Sequence, residues 1–212
     1  MPEFAHGRRI ERPNVIGLLG ADGAGKSTVA TMIASTLYWT TPEVADVRRA
    51  AYADDLKLML RELDPILGAH IIGEDAVPAR LSDLEGEGCT EAMIKDAYPE
   101  YRRLLRALGT KCLRSRDDNF WVRRLSSQFD ERPANEVLVV DDVRFKNEAE
   151  AITMRPVRSC GAVIKVIGRG TNTGAGEQVD EAPFDVVVDN TGALDETLNQ
   201  VKEVLREWGW LS

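Results

Sequence analysis

The stretch Gly20-Ala-Asp-Gly-Ala-Gly-Lys26-Ser27 has the spacing G-x-x-x-x-G-K-[ST], which is the spacing of a phosphate-binding loop. It follows an apolar run, Val15 to Leu19, and opens a helix-like run, Ser27 to Leu37. Glycines let a backbone come close to a ligand, so Gly20, Ala21, Asp22, Gly23, Ala24 and Gly25 can point several N–H groups at one polyphosphate. The N-terminus of the following helix, with Thr28 in its first turn, adds a favourable dipole. In such a loop Lys26 reaches the β- and γ-phosphates of ATP and Ser27 holds Mg²⁺.

A second candidate group is Asp141-Asp142-Val-Arg144, directly after the apolar run Glu136 to Val140. A carboxylate there can hold Mg²⁺ or its water shell, or orient the attacking hydroxyl or phosphate, which makes Asp142 the candidate metal ligand and, with Lys26 and Arg144, a candidate catalytic residue. Arg144 can clamp a phosphate with its planar fork. A third group, Asn190-Thr-Gly192, sits between the last strand and the last helix. Its turn can frame an adenine edge, and it reads equally well as a helix N-cap. A fourth, Tyr52-Ala-Asp54-Asp55-Leu-Lys57, opens a helix, where Asp54 suits the dipole and Lys57 could meet an acceptor phosphate. Arg114 and Arg116 lie in a non-periodic turn that leads to Phe120-Trp121, a combination suited to a phosphate and a base. Trp121 reads either as that support or as a core anchor. Arg169 begins a glycine-rich loop and is a candidate lid arginine. Arg102, Arg103 and Arg106 read as a solvated helix face.

Strands and helices must bring these groups together. Strands are expected over 15–19, 136–140, 162–168 and 184–189, with a weak one within 41–49. Helices are expected from the phosphate loop to about Tyr38, then over 54–67, 91–108, 119–129, 147–154 and 193–208. This alternation predicts an α/β fold, a parallel sheet with helices on both faces, in which ligands bind at the carboxyl ends of the strands. Residues 1–13 read as a polar N-terminal arm, and 14–212 as one domain with an irregular insertion at about 68–90 and a lid loop at about 169–182.

Composition narrows the partners. With 212 residues and a formal net charge of −8, the chain is an unlikely match to a nucleic-acid polymer, though a local basic pocket is compatible with that charge. Cys89, Cys112 and Cys160 show no metal-ligand or disulfide spacing and read as small buried apolar residues in a reducing, cytoplasmic compartment. His6 and His70 have no ligand spacing. No run is long and apolar enough for a membrane span, and the N-terminal segment lacks a signal-like apolar core.

Taken in order, these pieces resemble the bacteriophage-type deoxynucleoside monophosphate kinases, a branch of the P-loop kinases. Tyr52-Ala-Asp-Asp-Leu-Lys57 is close to the family's F-A-D-P-L-K, and Leu108-Gly-Thr-Lys-Cys-Leu-Arg114 with Phe120-Trp121 is close to L-G-T-E-x-G-R and a tryptophan. Asp142-Val-Arg-Phe-Lys-Asn-Glu-Ala149 nearly repeats D-V-R-F-P-N-E-A, and Asp189-Asn-Thr-Gly-Ala-Leu-Asp195 looks like the adenine-side turn. The resemblance covers about Asn14 to Trp208. It implies ATP- and Mg²⁺-dependent transfer to a deoxynucleoside 5′-monophosphate, in the cytoplasm, that of the host if the chain is phage-encoded. A homodimer is the candidate assembly. It places Asp54, Lys57, Arg114, Trp121, Asp142 and Arg144 at or near the acceptor and the reacting phosphate. Asp55, Lys111, Leu113 and the segment Gln178 to Glu181 depart from the family pattern and bear on base preference. Two other readings stay open on the residues alone. One is a different P-loop small-molecule kinase, such as a phosphomevalonate or dephospho-coenzyme A kinase; the other is a nucleotide-hydrolysing switch. A dinucleotide-binding dehydrogenase does not fit, because the glycines miss G-x-G-x-x-G.

Overall fold

A computed structural model of the chain describes residues 2–4, 10–72, 75–130, 133–154, 160–168 and 179–212. The described strands are β1 (Glu3–Phe4), β2 (Val15–Leu19), β3 (Asp46–Ala50), β4 (Ile66–Ile72), β5 (Asp75–Arg80), β6 (Glu136–Val143), β7 (Gly161–Ile167) and β8 (Val186–Asp189). The described α-helices are α1 (Lys26–Thr40), α2 (Asp54–Leu63), α3 (Leu81–Gly86), α4 (Glu91–Ala97), α5 (Pro99–Arg106), α6 (Phe120–Asp130), α7 (Lys146–Thr153) and α8 (Leu194–Glu207). A π-helical segment covers Ala107–Arg114. The chain divides into two compact units, Met1–Tyr52 with Val122–Ser212, and Ala53–Trp121.

The first unit is built on a sheet of order β1-β8-β7-β2-β6-β3. The pairs β8-β7, β7-β2, β2-β6 and β6-β3 are parallel, and only β1 runs antiparallel, against β8. Every residue of β2 is buried, as a strand covered on both faces requires. One face packs Val29, Ile33 and Leu37 of α1 and Val201, Val204 and Leu205 of α8 against Ile16, Leu18, Val139 and Ile164. On the other face α7 comes so close that side chains are excluded. A Cβ on Gly17 would lie 2.7 Å from Ile152 Cδ1, and one on Gly161 would lie 2.1 Å from the Ile152 carbonyl oxygen.

The second unit has its own core, in which Leu60, Leu67, Ala79, Leu81, Leu84, Ile94 and Tyr101 are buried together. Residues 68–90 are therefore not irregular. They form the β4-β5 hairpin and α3, because apolar residues recur among the Gly, Asp and Glu that suggested a loop. The helix expected over 91–108 is broken at Pro99, which lacks an N–H and starts α5 rather than continuing α4. The helix from Asp54 stops at Leu63, where Asp64 turns left-handed with φ 44°. The supposed turn around Arg114 is the wide π-helical segment, whose i→i+5 register shows in Ser115 N–H donating to the Thr110 carbonyl at 3.0 Å.

Elsewhere the expected elements form with shifted ends. The weak strand within 41–49 is β3, and the N-terminal arm contributes β1. None of the three cysteines is buried: Cys112 is exposed, and Cys89 and Cys160 are half-exposed. Arg102 and Arg103 lie on an exposed helix face and pair with Asp96 and Glu100. His6 and the side chain of His70 lie outside the described residues, as do positions 169–178 of the expected lid loop. Among the described residues no helix is long and apolar enough to cross a membrane.

The packing at Gly161 sets a stability test. Gly161→Ala should cost about 2–3 kcal/mol, because the obstacle is backbone and cannot turn aside. Gly86→Ala, at a position with open space, should stay within about 0.5 kcal/mol of wild type. Chemical denaturation of the two variants checks the contrast; equal costs would mean that the α7-sheet contact is not tight.

Candidate active site

The phosphate loop takes its shape from glycine. Gly23 and Gly25 have φ of 78° and 90°, a region that side chains disfavour, and Gly25 is the residue before the first turn of α1. The loop also lies against the sheet. A Cβ on Gly20 would sit 2.6 Å from the Val166 carbonyl oxygen, and one on Gly168 would sit 2.2 Å from that of Ala24. Ser27 and Thr28 are exposed at the start of α1.

Lys26 is 8% exposed, and its Nζ donates to the carbonyls of Gly20 at 2.7 Å and Ala21 at 2.8 Å. Its pKa lies below the ordinary lysine value. Burial is the main cause and the Arg144 charge the next, partly offset by Asp22, Asp142 and Asp141. Asp22 and Arg144 are themselves paired at 2.6 Å.

At the end of β6 the register against β2 changes. Gly17 faces Val140, but Leu19 faces Val143, so β6 carries one extra residue across the aspartates. Such a bulge re-aims side chains at the end of a strand. Asp141 pairs with Arg49 of β3. Asp142 Oδ1 accepts from the Tyr52 N–H at 2.7 Å. Glu148, 2% exposed, braces the turn that follows, accepting from the N–H groups of Arg144 at 2.9 Å and Phe145 at 3.1 Å. The Tyr52 hydroxyl donates to the Glu148 carbonyl at 3.0 Å.

The donor set fits Mg²⁺ and a polyphosphate. Ser27 and Asp142 offer the hard oxygens that Mg²⁺ takes. Among the described residues no group of three or more His, Cys, Asp or Glu could hold a metal ion. Lys26 rests on loop carbonyls and Arg144 on a carboxylate, both partners that phosphate oxygens can replace.

The third sequence group turns toward the loop. Asn190 Nδ2 donates to the Ala24 carbonyl at 3.1 Å, and its Oδ1 accepts from the Thr197 hydroxyl at 3.0 Å. Gly192 makes room for the Glu196 carboxylate, whose oxygen would lie 2.3 Å from a Cβ there.

The remaining candidates belong to the second unit. Lys57 pairs with Asp54 at 3.5 Å and with Glu91 at 3.2 Å. Arg114 is 8% exposed at the end of the π-helical segment, and its Nη1 reaches the Asp118 carbonyl at 3.5 Å. Trp121 is 4% exposed, and its Nε1 donates to the Gly109 carbonyl at 3.1 Å. Its ring therefore anchors the π-helical segment. Arg169 lies outside the described residues.

Three positions escaped the sequence reading. Glu148 carried a signal, because a Glu at the third position of a helix commonly caps it. Arg49 lies on an edge strand among exposed residues, and no local pattern marks it. Gly168 reads as a strand-end glycine, and its approach to Ala24 is purely tertiary.

Two substitutions test this assembly. Lys26→Met should lower turnover by about 10²–10³-fold while the protein stays folded. Between its lowered folded value and the ordinary one, the unfolded lysine binds a proton that the folded one has lost. Wild-type stability therefore rises with pH in that window, and the methionine variant should lack the rise. Unfolding curves of both proteins at rising alkaline pH measure it; parallel curves would mean that Lys26 titrates normally. Glu148→Ala should cost roughly 1–3 kcal/mol by removing the acceptor of two partly buried N–H groups, and Glu148→Gln, which keeps an acceptor oxygen, much less. A loss below about 1 kcal/mol for the alanine variant would rule out the brace.

No protein-family model matches the chain. The chain is 26% identical over 207 residues to a protein of Acanthamoeba polyphaga mimivirus provisionally named a deoxynucleotide monophosphate kinase, covering 88% of this chain and 93% of that protein. Among solved structures, a gluconokinase from Sinorhizobium meliloti matches with a TM-score of 0.44 and 14% identity, covering 94% of this chain and 98% of that one. A shikimate kinase from Aquifex aeolicus matches with a TM-score of 0.39 and 14% identity, covering 91% and 96%. Superpositions this loose say nothing about substrate. The chain is similar over most of its length to a viral protein provisionally named a deoxynucleotide monophosphate kinase, and its first unit joins a glycine-rich loop, a buried lysine and strand-end carboxylates on one mostly parallel sheet.

Proposed function

We propose that the chain transfers the γ-phosphate of ATP to a deoxynucleoside 5′-monophosphate, giving the diphosphate and ADP. The observation that carries this is the ion pair of Arg144, just past β6, with Asp22 of the same loop whose carbonyls hold the buried Lys26. Phosphoryl transfer needs positioning and charge neutralisation more than a covalent nucleophile.

ATP binding exchanges partners in the site. Lys26 leaves the Gly20 and Ala21 carbonyls for the β- and γ-phosphates, and Arg144 leaves Asp22 for phosphate oxygens. Ser27 and Asp142 would hold Mg²⁺, which supplies further neutralisation of the phosphates when bound. The Glu148 brace keeps the backbone under Arg144 fixed, so its planar fork is preorganised. The acceptor 5′-phosphate goes to Arg114 and Lys57 of the second unit, with Asp54 beside Lys57. Trp121 serves that site by holding the segment that ends in Arg114. The choice of a deoxynucleotide rests on the quoted motifs and on the name of the viral relative.

The test is ATP consumption with Mg²⁺ and each of dAMP, dCMP, dGMP and dTMP, against the matching nucleosides. ADP should appear only with a monophosphate. Nucleosides should be inert, because they leave cations meant for phosphate unpaired by substrate. Arg114→Ala should raise KM for the monophosphate at least tenfold, by rough analogy with lost charged contacts, and leave KM for ATP nearly unchanged. ADP release without any acceptor would favour a hydrolysing switch. Turnover of another phosphorylated small molecule, with no deoxynucleotide accepted, would overturn the acceptor and leave the kinase.

A further inference from the structure

The 24–25 peptide of the phosphate loop is clamped from one side. The Ala24 carbonyl accepts from Asn190 Nδ2 at 3.1 Å, and Gly168 approaches so closely that a Cβ there would lie 2.2 Å from the same oxygen. Asn190 is fixed in turn. Its Oδ1 accepts from Thr197, which is 0% exposed on α8, and its own N–H donates to the Ile167 carbonyl at 2.6 Å. The amide orientation is determined by chemistry, since a carbonyl can only accept and the Asn190 atom facing Ala24 must be the nitrogen. Gly25 also fits this clamp and nothing larger does, because a Cβ there would lie 2.0 Å from Nδ2.

A trans peptide holds its C=O and its N–H on opposite sides. Fixing the Ala24 carbonyl toward Asn190 therefore turns the Gly25 N–H the other way, away from Asn190. We propose that Asn190, held by Thr197, is a positioning residue that aims the Gly25 amide at the nucleotide phosphates. It rests on the reading that this loop binds nucleotide phosphates. It gives the 190–192 turn a task separate from framing a base: Asn190 acts on the phosphates through the peptide, without touching the nucleotide.

Calorimetric titration with ATP, GTP and inorganic tripolyphosphate separates the two tasks. Asn190→Asp keeps the acceptor for Thr197 but sets a carboxylate oxygen against the Ala24 carbonyl. It should weaken all three ligands by the same factor, about tenfold, the worth of one good hydrogen bond. Thr197→Val, buried and remote from any ligand, should weaken all three by about threefold in the same pattern. The double variant should be no weaker than Asn190→Asp alone, because both act through one contact. Affinity for a deoxynucleoside monophosphate should not change. Weakened ATP with GTP and tripolyphosphate unaffected would overturn the inference and make Asn190 a reader of adenine. Unchanged affinity for all three in both single variants would also overturn it. Wild-type protein that binds none of the three would sink the phosphate-loop reading itself, a result distinct from the failure of Asn190.

Discussion

Burying the Lys26 ammonium is the constraint on which the first unit depends. A lone charge out of water is costly, and here burial already holds the lysine below its ordinary pKa. It stays tolerable because Gly20 and Ala21 give it carbonyls, and Asp22, Asp141 and Asp142 give it a negative field. Each of those groups needs its own support. Asp22 pairs with Arg144, Asp141 with Arg49, and Asp142 with the Tyr52 N–H. The result is a set of charges that are all partnered within the protein, of which the two cations, Lys26 and Arg144, can be re-partnered by phosphate.

The supports are backbone-deep. Glu148 is nearly inaccessible and spends one carboxylate oxygen on two N–H groups, which fixes the turn that carries Arg144. The β6 bulge places two consecutive aspartates at a strand end where a regular strand would point them to opposite faces. Close glycine contacts seat the loop on β7. A site built this way has little freedom to collapse when a charge is removed, so substitutions should appear in turnover before they appear in the fold. In the second unit, a wide helical segment held by Trp121 carries Arg114, so a buried cation is again supported through backbone.

Much of the site was legible because it is local. The phosphate loop is eight consecutive residues, and its meaning depends on short-range geometry between a strand and a helix. The apolar runs of β2 and β6 announce a parallel sheet, and its known binding edge then assigns Asp142 and Arg144. Elements governed by long-range packing were less legible. The β4-β5 hairpin and α3 hide in a polar stretch, since only the second core reveals which of its few apolar residues are buried. The cysteines went the other way: their apolar character suggested burial, and the fold leaves Cys112 exposed and Cys89 and Cys160 only partly covered.

The sequence by itself determined the phosphate-loop spacing, the α/β alternation and the list of candidate cations and carboxylates. These follow from residue type and spacing, which act over a few bonds. Only the tertiary structure decided the partners. It set Arg144 on Asp22, Arg49 on Asp141 and Asn190 under Ala24, pairs separated by 122, 92 and 166 positions along the chain. It also gave Trp121, which the sequence reads either as support for a base or as a core anchor, a contact of its N–H with the Gly109 carbonyl. The physical reason is that a polar group is satisfied by whatever the fold brings within about 3 Å, and no local pattern encodes that neighbour.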